Sequence, residues 1–208
     1  MLHVALENTG VEGRGRTVLV TSPSRGAGKR TVASNLAISL ANTGKRVLLV
    51  DADFRSPAQG RIFGLTGETG LGTLLECTDP MPVTAIHHTG STWLDVILSV
   101  PTRRNPSELL NGQPFIDLLG DLAERYDYVL LDSPPALSYS DARTMAASCD
   151  ATLMVVRAGQ INRQLFERAR EGLVNVGANI AGVIINSESD PASGGAWSGQ
   201  GGREERAA

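Results

Sequence analysis

An α/β fold, with a mainly parallel β-sheet covered by helices on both faces in a single domain, is predicted by three features of this 208-residue sequence. Short runs rich in Val, Ile and Leu alternate with segments whose apolar residues recur every three or four positions, so strands alternate with helices. The apolar runs are continuous, as expected of parallel strands buried on both faces. The first strand, helix and strand fit within about 35 residues, the length of one βαβ unit.

The elements follow in order. "RTVLVTS" (16–22) is β-rich and ends in turn residues, so it reads as a strand. In "KRTVASNLAISLANTGKR", Val32, Leu36 and Leu40 fall four apart with Ala33 and Ala37 beside them, a helix that closes at Gly44. "RVLLVDAD" is a buried strand, and "TWLDVIL" (92–98) another. "NPSELLNGQPFIDLLGDLAERY" holds two helical pieces divided near Gly112–Pro114. "YDYVLLDSPP" is a buried strand running into a proline turn, and "SDARTMAASCD" a helix capped by Ser140 or Asp141. "ATLMVVRAG" is a strand, "NRQLFERAREGLVNVG" an amphipathic helix and "NIAGVIINSE" the last strand. Residues 1–15 read as a loose lead-in, 16–187 as the domain, and 188–208 as a disordered Gly/Ser-rich tail whose one large apolar residue is Trp197. No internal repeat has a regular period.

Composition excludes several classes. A net charge of −3 gives no basic footprint, so nucleic acid is not an expected partner. Cys77 and Cys149 form no CxxC and no disulfide framework. They read as small, partly buried hydrophobes of a reduced, cytoplasmic protein. No apolar run approaches the ~18 residues of a membrane span, and "MLHVALENTG" lacks a signal-peptide core. The expectation is a cytoplasmic protein with no direct membrane insertion. His87 and His88 are adjacent and would point to opposite faces of a strand, so they do not suggest a metal site. Thr102 to Arg104 read as a solvated turn, and no serine sits in a nucleophile elbow.

Three loops carry chemistry. "TSPSRGAGKRT" joins the first strand to the first helix, where backbone N–H groups and the positive helix end can face phosphate oxygens. Gly26 and Gly28 permit close backbone approach. Arg25, Gly26, Ala27, Gly28, Lys29, Arg30 and Thr31 form the candidate nucleotide-binding segment, with Lys29 reaching the β- and γ-phosphates. One letter departs from the pattern: after Lys29, such loops carry a Ser or Thr whose hydroxyl sits on Mg²⁺, and here stands Arg30. Arg has no acceptor and keeps its proton, so it cannot coordinate the metal, although it binds phosphate well. Thr31, one helical step on, points about 100° away. The second loop, "VLLVDADFRSP", places Asp51 and Asp53 at the carboxyl end of a buried strand, where open α/β sheets bind ligands. In the third, "YDYVLLDSPPAL", Asp132 ends a strand where an acid would hold Mg²⁺ or its water shell.

These three segments resemble the Walker A, Walker A′ and Walker B motifs of the bacterial tyrosine kinases of capsular and exopolysaccharide synthesis, within the deviant Walker A P-loop ATPases. "NPSELL", "VVRAG" and "GVIIN" follow in the family's order, and the resemblance covers about 16–187. The Asp-Ala-Asp-x-Arg-x-Pro form of the second motif separates this branch from the cell-division-site and partition ATPases. The resemblance implies a P-loop NTPase-type fold and transfer of the ATP γ-phosphate to tyrosine. By position, Lys29 would hold phosphates, Asp51 and Asp132 would organise Mg²⁺, and Asp51 or Asp53 would help take the tyrosine proton. Thr31 would lie near the α-phosphate and Asn186 near the adenine. It also implies a membrane partner that sets polysaccharide chain length and activates the kinase, and homo-oligomeric rings.

The sequence departs from that family at Arg30, in lacking a Glu-x-x-Arg-x-x-Arg ring pattern near its start, and in a tail without tyrosine. Its tyrosines are Tyr126, Tyr128 and Tyr139, of which the first two flank or begin a core strand and read as packing residues. Two other readings follow: a nucleotide-binding but catalytically weak regulatory partner of the polysaccharide machinery, and a partition-type ATPase switch.

Overall fold

The computed structural model describes residues 14–77, 83–160 and 162–187. Its elements are β1 (Arg16–Thr21), α1 (Lys29–Ala41), β2 (Val47–Asp51), α2 (Gln59–Phe63), α3 (Leu71–Glu76), a 3₁₀ turn (Val83–Ala85), β3 (Ile86–His88), β4 (Leu94–Ile97), α4 (Pro106–Leu110), α5 (Gln113–Arg125), β5 (Tyr128–Asp132), α6 (Asp141–Ser148), β6 (Ala151–Arg157), α7 (Arg163–Val174) and β7 (Ile180–Asn186). The sheet order is β3-β4-β2-β5-β1-β6-β7, and every pairing is parallel except that of β3 with β4. The predicted α/β class and its long elements are therefore present.

Continuous apolar strands serve two cores at once. Leu19, Leu48, Val50, Val129, Leu131 and Met154 belong to one core, covered by residues of α3, α5, α6 and α7 such as Leu71, Leu122, Met145 and Leu173. Val18, Val20, Val47, Leu49, Leu130 and Leu153 belong to the other, covered by Ala33, Leu36, Ala37 and Leu40 of α1. The fourfold apolar spacing read from α1 thus faces the sheet.

The stretch between β2 and β4 differs most from expectation. It holds α2, α3 and the antiparallel edge strand β3, elements of 5, 6 and 3 residues. Such pieces are too short to display a period, and tertiary contacts define them. The adjacent histidines do alternate: the His87 ring lies 3.3 Å from Thr69 O and His88 pairs with Asp95 at 2.7 Å.

Two described residues before the expected boundary at 16 also contact the domain. Arg14 pairs with Asp150 at 2.6 Å, and the Gly15 N–H donates to Ala123 O at 2.8 Å. A Cβ at Gly15 would fall 1.7 Å from Tyr126 O, so only glycine lets the chain enter β1 along this path. Cys149 is half-buried, with burial pushing its thiol up to about 12. Cys77, expected to be partly buried, is instead exposed, since it follows directly on the short α3. Trp197 and the tail lie outside the described residues.

Phe115, 1% exposed, is among the largest fully buried side chains. Phe115→Ala is expected to cost about 3–5 kcal/mol through lost burial and a cavity. The check is the urea midpoint, which should fall without a change in slope.

Candidate nucleotide-binding active site

Strand register brings the three motif loops together. Asp132 pairs across β5 with Val20 of β1 on one side and with Asp51 of β2 on the other. All three strands therefore end at the same level. The chain leaves β1 for α1 through residues 22–28, with Gly26 and Gly28 at φ 83° and 81°. A Cβ at Gly26 would meet nothing within 4 Å, which leaves the loop backbone open to a ligand. Gly28 is the N-cap of α1. A Cβ there would lie 2.1 Å from Asn186 Nδ2, so both its dihedral and its surroundings require glycine. Asn186 ends β7, and its amide donates to Ala27 O at 3.1 Å, bracing the loop.

Above the strand ends lies a cavity of about 500 Å³. Its wall contains four cations, Arg25, Lys29, Arg30 and Arg61, against a single acid, Asp53. Gly26, Ala27, Gly28 and Thr31 also line it. The N-terminal amides of α1, which have no intrahelical acceptors, start at the same place. This is an anion site by charge and by helix polarity.

Asp53 is 2% exposed and links two of the cations. Its Oδ2 lies 3.5 Å from Lys29 Nζ and 3.3 Å from an Arg30 terminal nitrogen. Its Oδ1 accepts from Ser56 N at 3.1 Å, turning the chain toward α2. Arg30 also donates to Ser56 O at 2.8 Å. The guanidinium therefore ties the start of α1 to the loop after β2, while its Nε is buried without a partner.

Asp51 has a different environment. Its Oδ2 accepts from Ala58 N and Gln59 N at 2.8 and 2.9 Å, and its Oδ1 from Asp53 N at 3.3 Å. Burial raises its pKa and the three amides oppose the shift. It caps α2 and shapes the loop. Asp132 is fully buried; its Oδ2 accepts from Gln59 Nε2 at 2.7 Å, and its Oδ1 has no partner. Burial pushes its pKa up to about 7, against the pull of the Lys29 charge. An orphaned carboxylate oxygen at the end of this strand fits a hydrated divalent cation. Among the described residues no group of three His, Cys, Asp or Glu could hold a metal. Mg²⁺ here would rest on one or two carboxylates, water and phosphate, which is its usual habit. Asp132 is the better ligand, because both Asp51 oxygens already accept amide protons.

Sequence reasoning missed Gln59. It is fully buried, accepts from Ser34 Oγ at 2.8 Å, holds Asp132 and lends its own amide to Asp51. Nothing in its local pattern marks it, since its partners are distant in sequence. It also missed the pairing of Arg30 with Asp53.

Comparison with known proteins fits this geometry. The family described as AAA domain matches residues 15–186. Over 187 residues the chain is 33% identical to the tyrosine-protein kinase YwqD of Bacillus subtilis, covering 90% of this chain and 78% of that one. The chain belongs to the bacterial tyrosine kinases. The kinase domain of Escherichia coli tyrosine kinase ETK superposes with a TM-score of 0.82 at 32% identity, over 94% of this chain and 74% of that one. The chimerical protein CapA2B2 superposes at 0.81 and 31% identity, over 89% and 81% of the two chains. As a member of this family the chain is a kinase-like phosphotransferase of the P-loop type, and no described helix is long and apolar enough to cross a membrane.

The Asp132 shift has a pH signature. A carboxyl whose folded pKa is raised favours the fold while neutral. Its contribution is complete below the unfolded value of 3.8 and is lost as pH rises through about 7. At about 1.4 kcal/mol per unit, the full effect is on the order of 4 kcal/mol. In Mg²⁺-free buffer the wild type should lose stability between pH 5 and pH 8 relative to Asp132→Asn. Equal pH slopes in urea titrations of the two proteins would contradict this.

Proposed function

We propose that this chain is an ATP-dependent protein-tyrosine kinase that regulates capsular or exopolysaccharide production, with Lys29, Asp53 and Asp132 as its working side chains. The observation that carries the reading is the cation-lined cavity at the level strand ends, with Asp53 in its wall. Lys29, Arg25 and the loop amides bind the phosphates, Thr31 lies beside them near the α-phosphate, and Asn186 braces the loop and lies near the adenine. Asp132, with support from Asp51, holds Mg²⁺, which when bound neutralises charge on the phosphate oxygens. Asp53 takes the proton of the acceptor hydroxyl. The protein works in the cytoplasm, forms homo-oligomers and reaches the membrane through a partner that sets polysaccharide length. Tyrosine phosphate formed from ATP, with and without the cytoplasmic segment of such a partner, tests the reading. Dimerisation driven by ATP hydrolysis with no tyrosine phosphate would favour a partition-type switch.

Lys29→Ala should weaken ATP binding by about one to two decades, since charge-assisted hydrogen bonds contribute roughly 1.5–3 kcal/mol each. Calorimetric titration checks this, and an unchanged dissociation constant with the fold intact would remove the phosphate-loop assignment.

A second reading, a catalytically weak nucleotide-binding regulator, is favoured by Arg30. A cation stands at the position of the metal-bound hydroxyl and is held there by Asp53 and Ser56. Loss of a metal ligand contributing ~1.5–3 kcal/mol would slow transfer by about 10- to 150-fold. Arg30→Ser should raise Mg²⁺-dependent turnover by that factor and make ATP affinity more dependent on Mg²⁺. Kinase-level turnover in the parent, flat or lower in the Ser variant, would rule out a handicap from Arg30.

A further inference from the structure

Gln59 touches all three motif segments without lining the phosphate cavity. Its backbone is fixed by Asp51, whose Oδ2 takes the Gln59 N–H at 2.9 Å. Its side chain is fully buried and reaches two ways. Nε2 donates to Asp132 Oδ2 at 2.7 Å, and Oε1 accepts from Ser34 Oγ at 2.8 Å. An ionised carboxylate only accepts, so the amide nitrogen and not its oxygen must face Asp132. Ser34 stands one turn after Arg30 on α1, and its hydroxyl also lies 2.7 Å from Arg30 O. Gln59 Nε2 approaches the same carbonyl at 3.4 Å. A buried amide therefore joins the helix that begins at the phosphate site to one oxygen of Asp132. The other oxygen, Oδ1, keeps no partner.

We infer that Gln59 is a positioning residue for the divalent cation. By occupying Oδ2 it fixes the Asp132 carboxylate with Oδ1 free for the metal or its water, and through Ser34 it ties that carboxylate to α1. The inference rests on the assignment of Mg²⁺ to Asp132 in the reading above. A carboxylate held by neither oxygen must be ordered as the ion binds, at a cost in affinity. A group that hydrogen-bonds a metal's carboxylate ligand orients it in advance, and its loss costs about 10- to 100-fold in metal affinity. The demand on Asp132 is greater here than where a loop hydroxyl shares the ion, since Arg30 has no acceptor to offer. Asp51 is held by three backbone amides, so the two acids are oriented by different means.

The test titrates Mn²⁺, which takes the same oxygen ligands as Mg²⁺, into the full chain carrying an equivalent of ADP, and reads free Mn²⁺ by its EPR signal. Gln59→Met keeps the length of the side chain and removes both of its hydrogen bonds. Expected is a Mn²⁺ dissociation constant raised by about 10- to 100-fold. ADP affinity in EDTA should stay unchanged, since Gln59 does not line the cavity. Ser34→Ala should move Mn²⁺ affinity the same way by a smaller factor, and it decides alone where Gln59→Met fails to fold. In an Asp132→Asn background Gln59→Met should add nothing, because Gln59 acts through that carboxylate. Unchanged Mn²⁺ affinity in the deciding variant overturns the inference. So does an equal loss of ADP affinity in EDTA, which marks a merely structural role, or a further loss of Mn²⁺ affinity on top of Asp132→Asn. If Asp132→Asn itself leaves Mn²⁺ affinity intact, the metal assignment falls and the inference falls with it. Tyrosine phosphate formed on an external Glu/Tyr copolymer is read separately, so the kinase reading is decided on its own.

Discussion

The in-register parallel pairing of β1, β5 and β2 is the constraint on which the site depends. Because Val20, Asp132 and Asp51 lie side by side, the phosphate loop and both acidic loops leave the sheet at one level. A slip of one residue in β5 would turn Asp132 to the other face and put Leu131 in its place. The two apolar faces of these strands prevent that slip. Each apolar residue of β1, β2 and β5 belongs to one core or the other, so a shifted register would exchange the two sets wholesale.

The site built on that register is an uneven electrostatic arrangement. Four cations line the cavity, yet the acids behind them are buried and only partly satisfied. Asp53 sits between Lys29 and Arg30, Asp51 is occupied by three backbone amides, and Asp132 keeps one oxygen unpaired. The three carboxylates thus take three roles: ion-pair bridge, loop former and open ligand. Burial raises the Asp132 pKa in the unliganded protein, and a bound cation would reverse that pressure. Gln59 is the joint of this arrangement, since its side chain orients Asp132 and its backbone satisfies Asp51.

Arg30 changes the local logic without dismantling the fold. At the helix start a hydroxyl side chain is short and neutral, whereas a guanidinium is long enough to reach the opposite loop. It takes a carboxylate and a carbonyl there and stitches α1 to the segment leading into α2. The departure from the usual motif is thus accommodated by a tertiary contact.

Much of this was legible in the sequence. Strand continuity, helical spacing in α1 and α7, the proline and glycine division between α4 and α5, and three loops rich in glycine, acid or proline all depend on neighbours within a few positions. Composition and period report such features directly. Only the tertiary structure decided the rest. The short α2, α3 and β3 form because contacts with distant residues define them, and the entry at Gly15 is fixed by a carbonyl more than a hundred residues away. The division of labour among Asp51, Asp53 and Asp132, the service of Gln59 and the direction of Arg30 were likewise undetermined by the chain alone. A side chain's identity states what it can donate, accept or carry as charge, while its partners and burial are set by the segments that the sheet brings beside it.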